Sequence, residues 1–414
     1  MRKSVILAIC AFVAAPLSLA QGSNETETMQ DALAAGYKAL FTCSATFTAD
    51  KPAARIEANE LDGIYTDYRD AMARVSDANV NARSRTVAVR YKTSLPPRLA
   101  VWRPGLGCSL LPIGADVDAT DNLPRFSGWK SEKGSDSSTA IGDKVSLSPP
   151  SAVSNALNEA ISKAFGKTEY GGGARTSAVV VLRHGELLAE KYDRGTTAEM
   201  PQRTWSVAKS LTATIIGAAT EKGLIDIDHG AVIGTWTNGT DPRRQITVRN
   251  LLQMASGLDS GIAGNRTDRT YFGGARVVDE ALTHPLEAEP GERFKYANND
   301  TLIAMRSLRE AMDDDAAFMR FPYEDLLWKI GARRTTMETD WNGDFISSSQ
   351  VWMTARDMAR LGQLYLQDGM WGEDRILPEG WTEFVSTPAP AQPDRSNKAS
   401  FGYGASFWLM DRHQ

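Results

Sequence analysis

A predicted β-hairpin followed directly by an apolar helix is the feature that most constrains the fold of this chain. Residues 176–192 contain two β-branched or apolar runs separated by a His-Gly-Glu turn around Gly185. Apolar side chains at helical spacing follow in residues 206–222. Further helical patterns lead to an aromatic, strand-like segment at residues 401–409. This order predicts an α+β fold with helices beside an antiparallel sheet.

Ser206 and Lys209 open the predicted helix and carry the strongest chemical signal. Residues i and i+3 of a helix lie on the same face, so the backbone holds the lysine beside the serine. A lysine that packing removes from water has a lowered pKa and can act as a base on the serine hydroxyl. Free N–H groups at the helix N-terminus could also stabilise a forming oxyanion. The pair predicts a nucleophile, Ser206, with Lys209 as its base.

The Ser-x-x-Lys spacing alone is weak evidence, because a chain of this length contains about one or two copies by chance. A second copy runs from Ser127 to Lys130, in a stretch broken by Pro124 and Gly128 that does not predict a helix start. The copy at Ser206 instead begins an apolar helix soon after a hairpin. We therefore favour Ser206 as the nucleophile.

Tyr296 and Asn298 form a second candidate block. They follow a turn at Pro290-Gly291 and precede a helical pattern at residues 302–312. A tyrosine at this place could relay a proton between nucleophile and leaving group, and the asparagine amide could hold a substrate carbonyl. The alternative for these residue types is a buried tyrosine beside a helix-capping asparagine.

Five sequence blocks, in order, resemble the superfamily of serine hydrolases that contains class C β-lactamases, D,D-peptidases and esterases. Together the blocks span about residues 150–410, and the N-terminal part of the chain is covered far less well. The contexts of Ser206 and of residues 354–360 most resemble the branch of aminohexanoate-oligomer hydrolases and related esterases. The matching blocks are residues 176–192, 205–226, 246–257, 290–298 and 354–381.

The resemblance implies a β-lactamase/transpeptidase-like fold and an acyl-enzyme mechanism. Ser206 would attack a carbonyl, Lys209 and Tyr296 would share the proton transfers, and Asn298 would help to orient the acyl group. The Ser206 backbone N–H would be one oxyanion-hole donor. No cofactor is implied. The substrate would be a small-molecule or peptide-like ester, linear amide or β-lactam, and the sequence does not choose among these.

One motif of the family is not found. Relatives carry a Lys- or His-x-Gly strand motif after a Gly-Tyr-Gly-x-x-x-Trp segment, and that strand lines the site and supplies the second oxyanion N–H. Residues 402–408 match the segment, but Gln414 follows before the motif, and His413 has no glycine after it. We expect either a fragment or a naturally truncated product without its last strands. A truncated product would leave the hairpin without sheet partners, so we would expect low stability and little activity.

The N-terminus predicts secretion. Arg2 and Lys3 precede an apolar stretch that ends near Leu17, and small residues follow at both cleavage positions before Gln21. We interpret residues 1–20 as a signal peptide and the protein as secreted or periplasmic. The alternative is an uncleaved anchor, but the apolar stretch is short for a membrane span, so no stable span is expected.

Cysteine usage agrees with export. Cys10 lies in the predicted signal peptide, which leaves Cys43 and Cys108 as a pair in an oxidising compartment. We expect a disulfide between them, with two buried thiols as the alternative. The two cysteines and four scattered histidines show no metal-ligand spacing, so no metal is expected.

Residues 21–150 differ from the rest of the chain in their sequence patterns. They mix a possible helical stretch, an alternating strand at residues 85–91 and a loop-rich part, residues 114–150, which we interpret as a connection or lid. We predict an N-terminal extension, residues 21–150, packed against a hydrolase domain of residues 151–414.

The net charge of −5 and the lack of a basic stripe argue against a nucleic-acid partner.

Two functional hypotheses stay open. The first is a hydrolase that works through an acyl-enzyme, and the presence of Lys209 and Tyr296 favours it. The second is a non-catalytic penicillin-binding-like relative or an inactive truncated one, which the missing motif favours. A Ser-His-Asp triad fits poorly, because no Gly-x-Ser-x-Gly elbow surrounds Ser206 and His184 is expected in a hairpin turn.

Overall fold

A computed structural model describes most of the chain. It covers residues 17–62, 65–126, 151–166, 168–260, 271–394 and 401–410. Several predicted features fall outside these ranges: residues 1–16 of the signal peptide, the second Ser-x-x-Lys copy, most of the loop at 114–150, and His413. Residues 17–20, the end of the predicted signal peptide, begin the first helix.

Ten α-helices of five or more residues occur in the described part of the chain, and none there is both long and apolar enough to cross a membrane. In chain order they are α1 (Leu17–Phe47), α2 (Arg69–Arg74), α3 (Ser151–Ala164), α4 (Val207–Glu221), α5 (Val248–Leu252), α6 (Asp279–Thr283), α7 (Asn298–Met312), α8 (Asp315–Phe321), α9 (Ala355–Leu366) and α10 (Trp381–Ser386).

The strands are short, and all the described strand pairs are antiparallel. They are β1 (Asn79–Asn81), β2 (Thr86–Val89), β3 (Arg98–Arg103), β4 (Gly107–Leu110), β5 (Ala178–Arg183), β6 (Glu186–Tyr192), β7 (Gln202–Arg203), β8 (Thr336–Met337), β9 (Val351–Met353), β10 (Met370–Trp371), β11 (Asp374–Arg375), β12 (Gly402–Tyr403) and β13 (Trp408–Leu409). The sheet orders are β1-β2-β3-β4, β5-β6, β7-β9-β8, β10-β11 and β12-β13. Helices combined with antiparallel sheets confirm the α+β prediction.

The predicted hairpin is strands β5 and β6. His184 and Gly185 form its two-residue turn with φ of 51° and 80°, the left-handed pair that a tight hairpin turn requires. Arg356 at the start of α9 donates two hydrogen bonds, of 2.8 and 2.6 Å, to the Glu190 carboxylate on β6. This bidentate pair fastens the hairpin to the helix beside it.

Helix α4, which follows Ser206, runs through the centre of the molecule. Most of its residues between Ala208 and Ala219 are buried, which explains why the sequence shows little polar face there. Gly217 lies on α4 where the Trp381 ring approaches closely, because a Cβ would sit 2.6 Å from a ring carbon. Gly223, at φ 69°, ends the helix as its sequence position predicts.

The N-terminal extension is built from α1 packed on the meander β1–β4. Arg98 of β3 is 1% exposed and binds backbone carbonyls: Nη1 donates to Ala32 (2.7 Å) and Phe272 (2.8 Å), and Nη2 donates to Leu111 (3.1 Å). Burial lowers the pKa of Arg98 to about 10. One buried cation thus joins α1, the meander and residue 272 of the predicted hydrolase domain.

Cys43 and Cys108 form a disulfide with their Cα atoms 6.1 Å apart, which confirms the predicted pairing. The bridge joins α1 to β4. The Cys108 N–H donates to Glu338 Oε1 at 2.9 Å, so a carboxyl from beyond the extension meets the bridge directly. Glu338 is fully buried, and burial raises its pKa to about 7.

Replacing both cysteines with alanine, Cys43→Ala and Cys108→Ala together, is expected to lower the free energy of unfolding by about 4 kcal/mol. The reason is that the bridge spans 65 residues and restricts the unfolded chain. Urea unfolding followed by circular dichroism measures the change.

A reductant should move the urea midpoint of the wild type toward that of the double variant and leave the variant unchanged. An unchanged wild-type midpoint after complete reduction would contradict this stabilising role.

Candidate active site

Ser206 lies at the N-cap position of α4, at the end of a short connection from β7. Thr204 anchors that connection, because its N–H and its hydroxyl both donate to the Val351 carbonyl, at 2.9 and 3.0 Å. The Ser206 side chain is exposed. Trp205, one residue earlier, has φ 48°, an uncommon conformation for a bulky residue. The nucleophile candidate is therefore presented at the surface by a strained backbone.

The first N–H groups of α4 are less available than the sequence suggested. Val207 N–H donates to the Thr204 carbonyl at 3.2 Å, and Ala208 N–H donates to the Trp205 carbonyl at 3.0 Å. The loop before the helix therefore satisfies them. The family resemblance implied the N–H of Ser206 itself as the oxyanion donor at this helix start.

Lys209 is 1% exposed and points its amine at the serine. Its Nζ lies 3.3 Å from Ser206 Oγ, 2.6 Å from Asn298 Oδ1 and 2.8 Å from the Ser348 carbonyl oxygen. These three partners are neutral, so none offsets the cost of burying a positive charge. Burial lowers the pKa of Lys209 to about 7. A large fraction of this amine is therefore neutral, and able to accept a proton, at physiological pH.

Tyr296 lies beside the Lys209 amine. Its ring centroid is 5.1 Å from Lys209 Nζ. Burial raises the pKa of Tyr296, and hydrogen bonds with Ser206 and Trp408 offset part of that rise. A phenol with a raised pKa stays protonated at neutral pH and can donate a proton.

Asn298 is the first residue of α7, and Ala297 rather than Asn298 holds the N-cap position. The capping alternative is therefore wrong for Asn298. Its Oδ1 accepts from Lys209, which directs its amide nitrogen away from the lysine. The structure thus brings all four candidate residues together: Ser206, Lys209, Tyr296 and Asn298.

A buried carboxyl supports the helix that carries Asn298. Asp300 accepts from the Ser256 hydroxyl at 2.8 Å and from the Ser256 N–H at 3.3 Å, and burial raises its pKa to about 7. Gly257 follows at φ 78°, and a Cβ there would lie 2.2 Å from the Ala288 carbonyl oxygen. These contacts explain why a serine and a glycine end the matching block at residues 246–257.

Three functional contacts were not predicted. The Ser348 carbonyl accepts from Lys209, and the Ser348 hydroxyl contacts Tyr271. Trp408 stacks near Tyr296 with ring centroids 5.3 Å apart. A backbone carbonyl has no sequence signature, but the aromatic segment at residues 401–409, which contains Trp408, was visible as a pattern.

The three described histidines have other surroundings. His184 lies in the β5–β6 turn, His229 is exposed and 2.8 Å from Asp226, and His284 Nδ1 lies 3.9 Å from Asp259 Oδ2. In the ranges that the structure covers, no group of three or more His, Cys, Asp or Glu side chains is arranged to hold a metal.

Sequence comparison identifies relatives. The β-lactamase family model matches residues 160–414. The 6-aminohexanoate-dimer hydrolase of Paenarthrobacter ureafaciens is 30% identical over 230 residues, which cover 51% of this chain and 57% of that protein. The matched region thus spans little more than half the length of this curated relative.

Two solved structures are less similar to this chain in sequence. An octameric penicillin-binding protein homologue from Pyrococcus abyssi is 17% identical, with a TM-score of 0.46 over 61% of this chain and 64% of that chain. A penicillin-binding protein from Bacillus halodurans is 16% identical, with a TM-score of 0.44 over 56% of this chain and 80% of that chain.

The family model covers more than half of the chain and includes every block on which the resemblance was based. The curated relative carries the name of the branch that the motif contexts indicated. The predicted resemblance is confirmed: this chain belongs to the β-lactamase family.

Proposed function

We propose that this β-lactamase-family hydrolase cleaves an amide or ester bond through an acyl-enzyme formed on Ser206. The observation that carries the proposal is the position of Lys209, whose buried amine lies 3.3 Å from Ser206 Oγ among neutral oxygens. A base with a pKa of about 7 is well matched to proton abstraction at neutral pH.

In the first step the Ser206 hydroxyl gives its proton to the neutral Lys209 amine as Oγ bonds to the substrate carbonyl carbon. The carbonyl oxygen becomes an oxyanion beside the Ser206 N–H. The tetrahedral intermediate then collapses. The bond to the leaving group breaks, and the leaving nitrogen or oxygen takes a proton from the Tyr296 hydroxyl.

The Tyr296 phenolate recovers its proton from the lysinium, which returns both groups to their starting states. Water then attacks the ester on Ser206 while the neutral Lys209 amine accepts its proton. The acyl–Oγ bond breaks, and Ser206 Oγ takes the proton back from Lys209 as the acid leaves. Asn298 holds the Lys209 amine through Oδ1, and its amide N–H groups are the proposed donors to the substrate acyl oxygen.

We propose a small-molecule or peptide-like acyl compound as the substrate class. The name of the curated relative, a 6-aminohexanoate-dimer hydrolase, favours linear amides as the first compounds to test. Simple esters and a β-lactam complete the panel, because all three bond types share the same first step.

We also propose that the protein is secreted or periplasmic after removal of residues 1–20. The basic start, the apolar stretch and the small residues before Gln21 support this proposal, and the Cys43–Cys108 disulfide suits an oxidising compartment. Intact mass spectrometry of the exported protein should find Gln21 at its N-terminus. A retained Met1 in the membrane fraction would instead indicate an uncleaved anchor.

Ser206→Ala is expected to abolish covalent labelling by a fluorophosphonate or a fluorescent penicillin, because the nucleophile is removed. Lys209→Ala is expected to slow labelling by about 10³-fold through loss of the base. Ser127→Ala, in the other Ser-x-x-Lys copy, is the matched control and should label like the wild type. Intact mass and peptide mapping locate the adduct.

Labelling that survives in Ser206→Ala would rule out Ser206 as the nucleophile. Stoichiometric labelling without turnover of esters or amides would instead identify a penicillin-binding-like relative that has lost hydrolysis.

A substrate-independent test uses the pH dependence of stability. The folded pKa of Lys209 is about 7, below the usual 10.5, so the unfolded chain binds more protons between these values. The contribution of Lys209 to stability should therefore rise with pH in this window, by at most about 1.4 kcal/mol per pH unit. Urea unfolding of the wild type and Lys209→Met at pH 7, 8 and 9 measures the difference.

Lys222→Met is the control, because that lysine is substantially exposed and pairs with Asp325 at the surface. Its unfolding free energy should follow the wild-type pH profile. Parallel profiles for wild type and Lys209→Met would show that the amine is not buried in its neutral form.

A further inference from the structure

The N-terminal extension reaches the residue next to the nucleophile. Phe41 of α1 is fully buried, and its ring centroid lies 5.9 Å from that of Trp205. Trp205 immediately precedes Ser206, and its side chain is 40% exposed at the site. Aromatic contact therefore connects a helix of the extension to the backbone that presents the nucleophile.

Arg203 lies between these two rings. Its Cζ atom is 4.0 Å from the centroid of Phe41 and 4.0 Å from that of Trp205. A planar guanidinium stacks on aromatic faces in a way that a lysine ammonium cannot. The side chain is only 5% exposed, so water competes little for this contact.

Glu60 of the extension holds the guanidinium in place. Its Oε2 lies 3.3 Å from Arg203 Nη2, while its Oε1 lies 2.6 Å from Lys51 Nζ. All three side chains are at most 6% exposed. Buried, mutually paired charges fix geometry because separating them leaves a charge uncompensated. Arg203 therefore has a defined position set by residues of the extension.

Trp205 needs such support because its backbone is strained. Its φ of 48° is left-handed, and a bulky residue in that region costs about 1–3 kcal/mol unless its surroundings over-determine it. Relaxation to a negative φ would rotate the chain at Ser206. The Lys209 amine is buried and tied to Asn298 and Ser348, so it cannot follow the serine.

We propose that Arg203 and Phe41 are positioning residues for the Ser206 nucleophile. They clamp the Trp205 ring, hold its left-handed backbone and so keep Ser206 Oγ within reach of Lys209. The extension is in this way a part of the catalytic apparatus, although it supplies no group that touches the substrate. This inference rests on the proposed role of Ser206.

Phe41→Leu keeps an apolar side chain but removes the ring, and Arg203→Lys keeps the charge but removes the planar stack. Each is expected to lower the maximal rate of fluorophosphonate labelling at Ser206 about 10-fold, with the concentration for half-maximal rate unchanged, because misplacement of reacting atoms costs rate. Phe318→Leu is the matched control: Phe318 is equally buried but packs on Phe345, and its variant should label within twofold of the wild type.

A double-variant cycle separates positioning from general stability. Glycine adopts a positive φ without strain and carries no ring. Trp205→Gly therefore removes both the ring that Phe41 and Arg203 contact and the backbone strain that this contact supports. Phe41→Leu should therefore slow labelling about 10-fold in the wild type and by less than twofold in Trp205→Gly. Equal losses in both backgrounds would overturn the proposal, as would labelling of both Phe41→Leu and Arg203→Lys within twofold of Phe318→Leu.

Hydrogen exchange gives a readout that does not require catalysis. Backbone amides of residues 204–210 should exchange faster in Phe41→Leu than in the wild type, while Phe318→Leu leaves them unchanged. If the wild type does not label at Ser206, the proposed function fails and the exchange result still decides the positioning role. Unchanged exchange in this segment would reject the clamp.

Discussion

The buried amine of Lys209 is the interaction on which the rest of the site depends. Three parts of the fold meet at its nitrogen: Ser206 before α4, Asn298 at the start of α7, and the Ser348 carbonyl. Each contributes a neutral oxygen, so the amine is hydrogen-bonded without being held as a cation. The same segments that meet at the amine therefore also bury it, which lowers its pKa to about 7.

Buried charge serves a different purpose in the N-terminal extension. Arg98 binds only backbone carbonyls among its described partners, and it ties α1 and the meander to residue 272. Lys51, Glu60 and Arg203 form a second buried group that ends at Trp205. Burying charged side chains costs free energy. Once they are paired, they fix the relative positions of the segments that carry them, because any shift leaves a charge without its partner. These contacts explain how the N-terminal extension, which has little resemblance to the family, packs closely against the predicted hydrolase domain.

Much of the fold was predictable where local chemistry decides the structure. The hairpin turn at Gly185 and the helix after Ser206 follow from turn chemistry and apolar spacing, and both are observed. The extension was less readable, because only one strand of its meander shows clear alternation and β1 is fully exposed. The possible helical stretch of the extension, residues 58–74, is instead divided in its described part into a π-helical turn at Ile56–Glu60, a 3₁₀ turn at Thr66–Tyr68 and helix α2.

The sequence by itself determined which groups are available: a serine and a lysine one helical turn apart, and a tyrosine and an asparagine that both follow a turn. Backbone periodicity places the first pair together, and family resemblance adds the second. Only the tertiary structure decided that the amine is enclosed by neutral oxygens, that Asn298 accepts from it instead of capping a helix, and that Phe41 and Arg203 support Trp205. The physical reason is that desolvation and long-range stacking depend on which distant segments cover a residue. Local sequence patterns do not predict which segments these are.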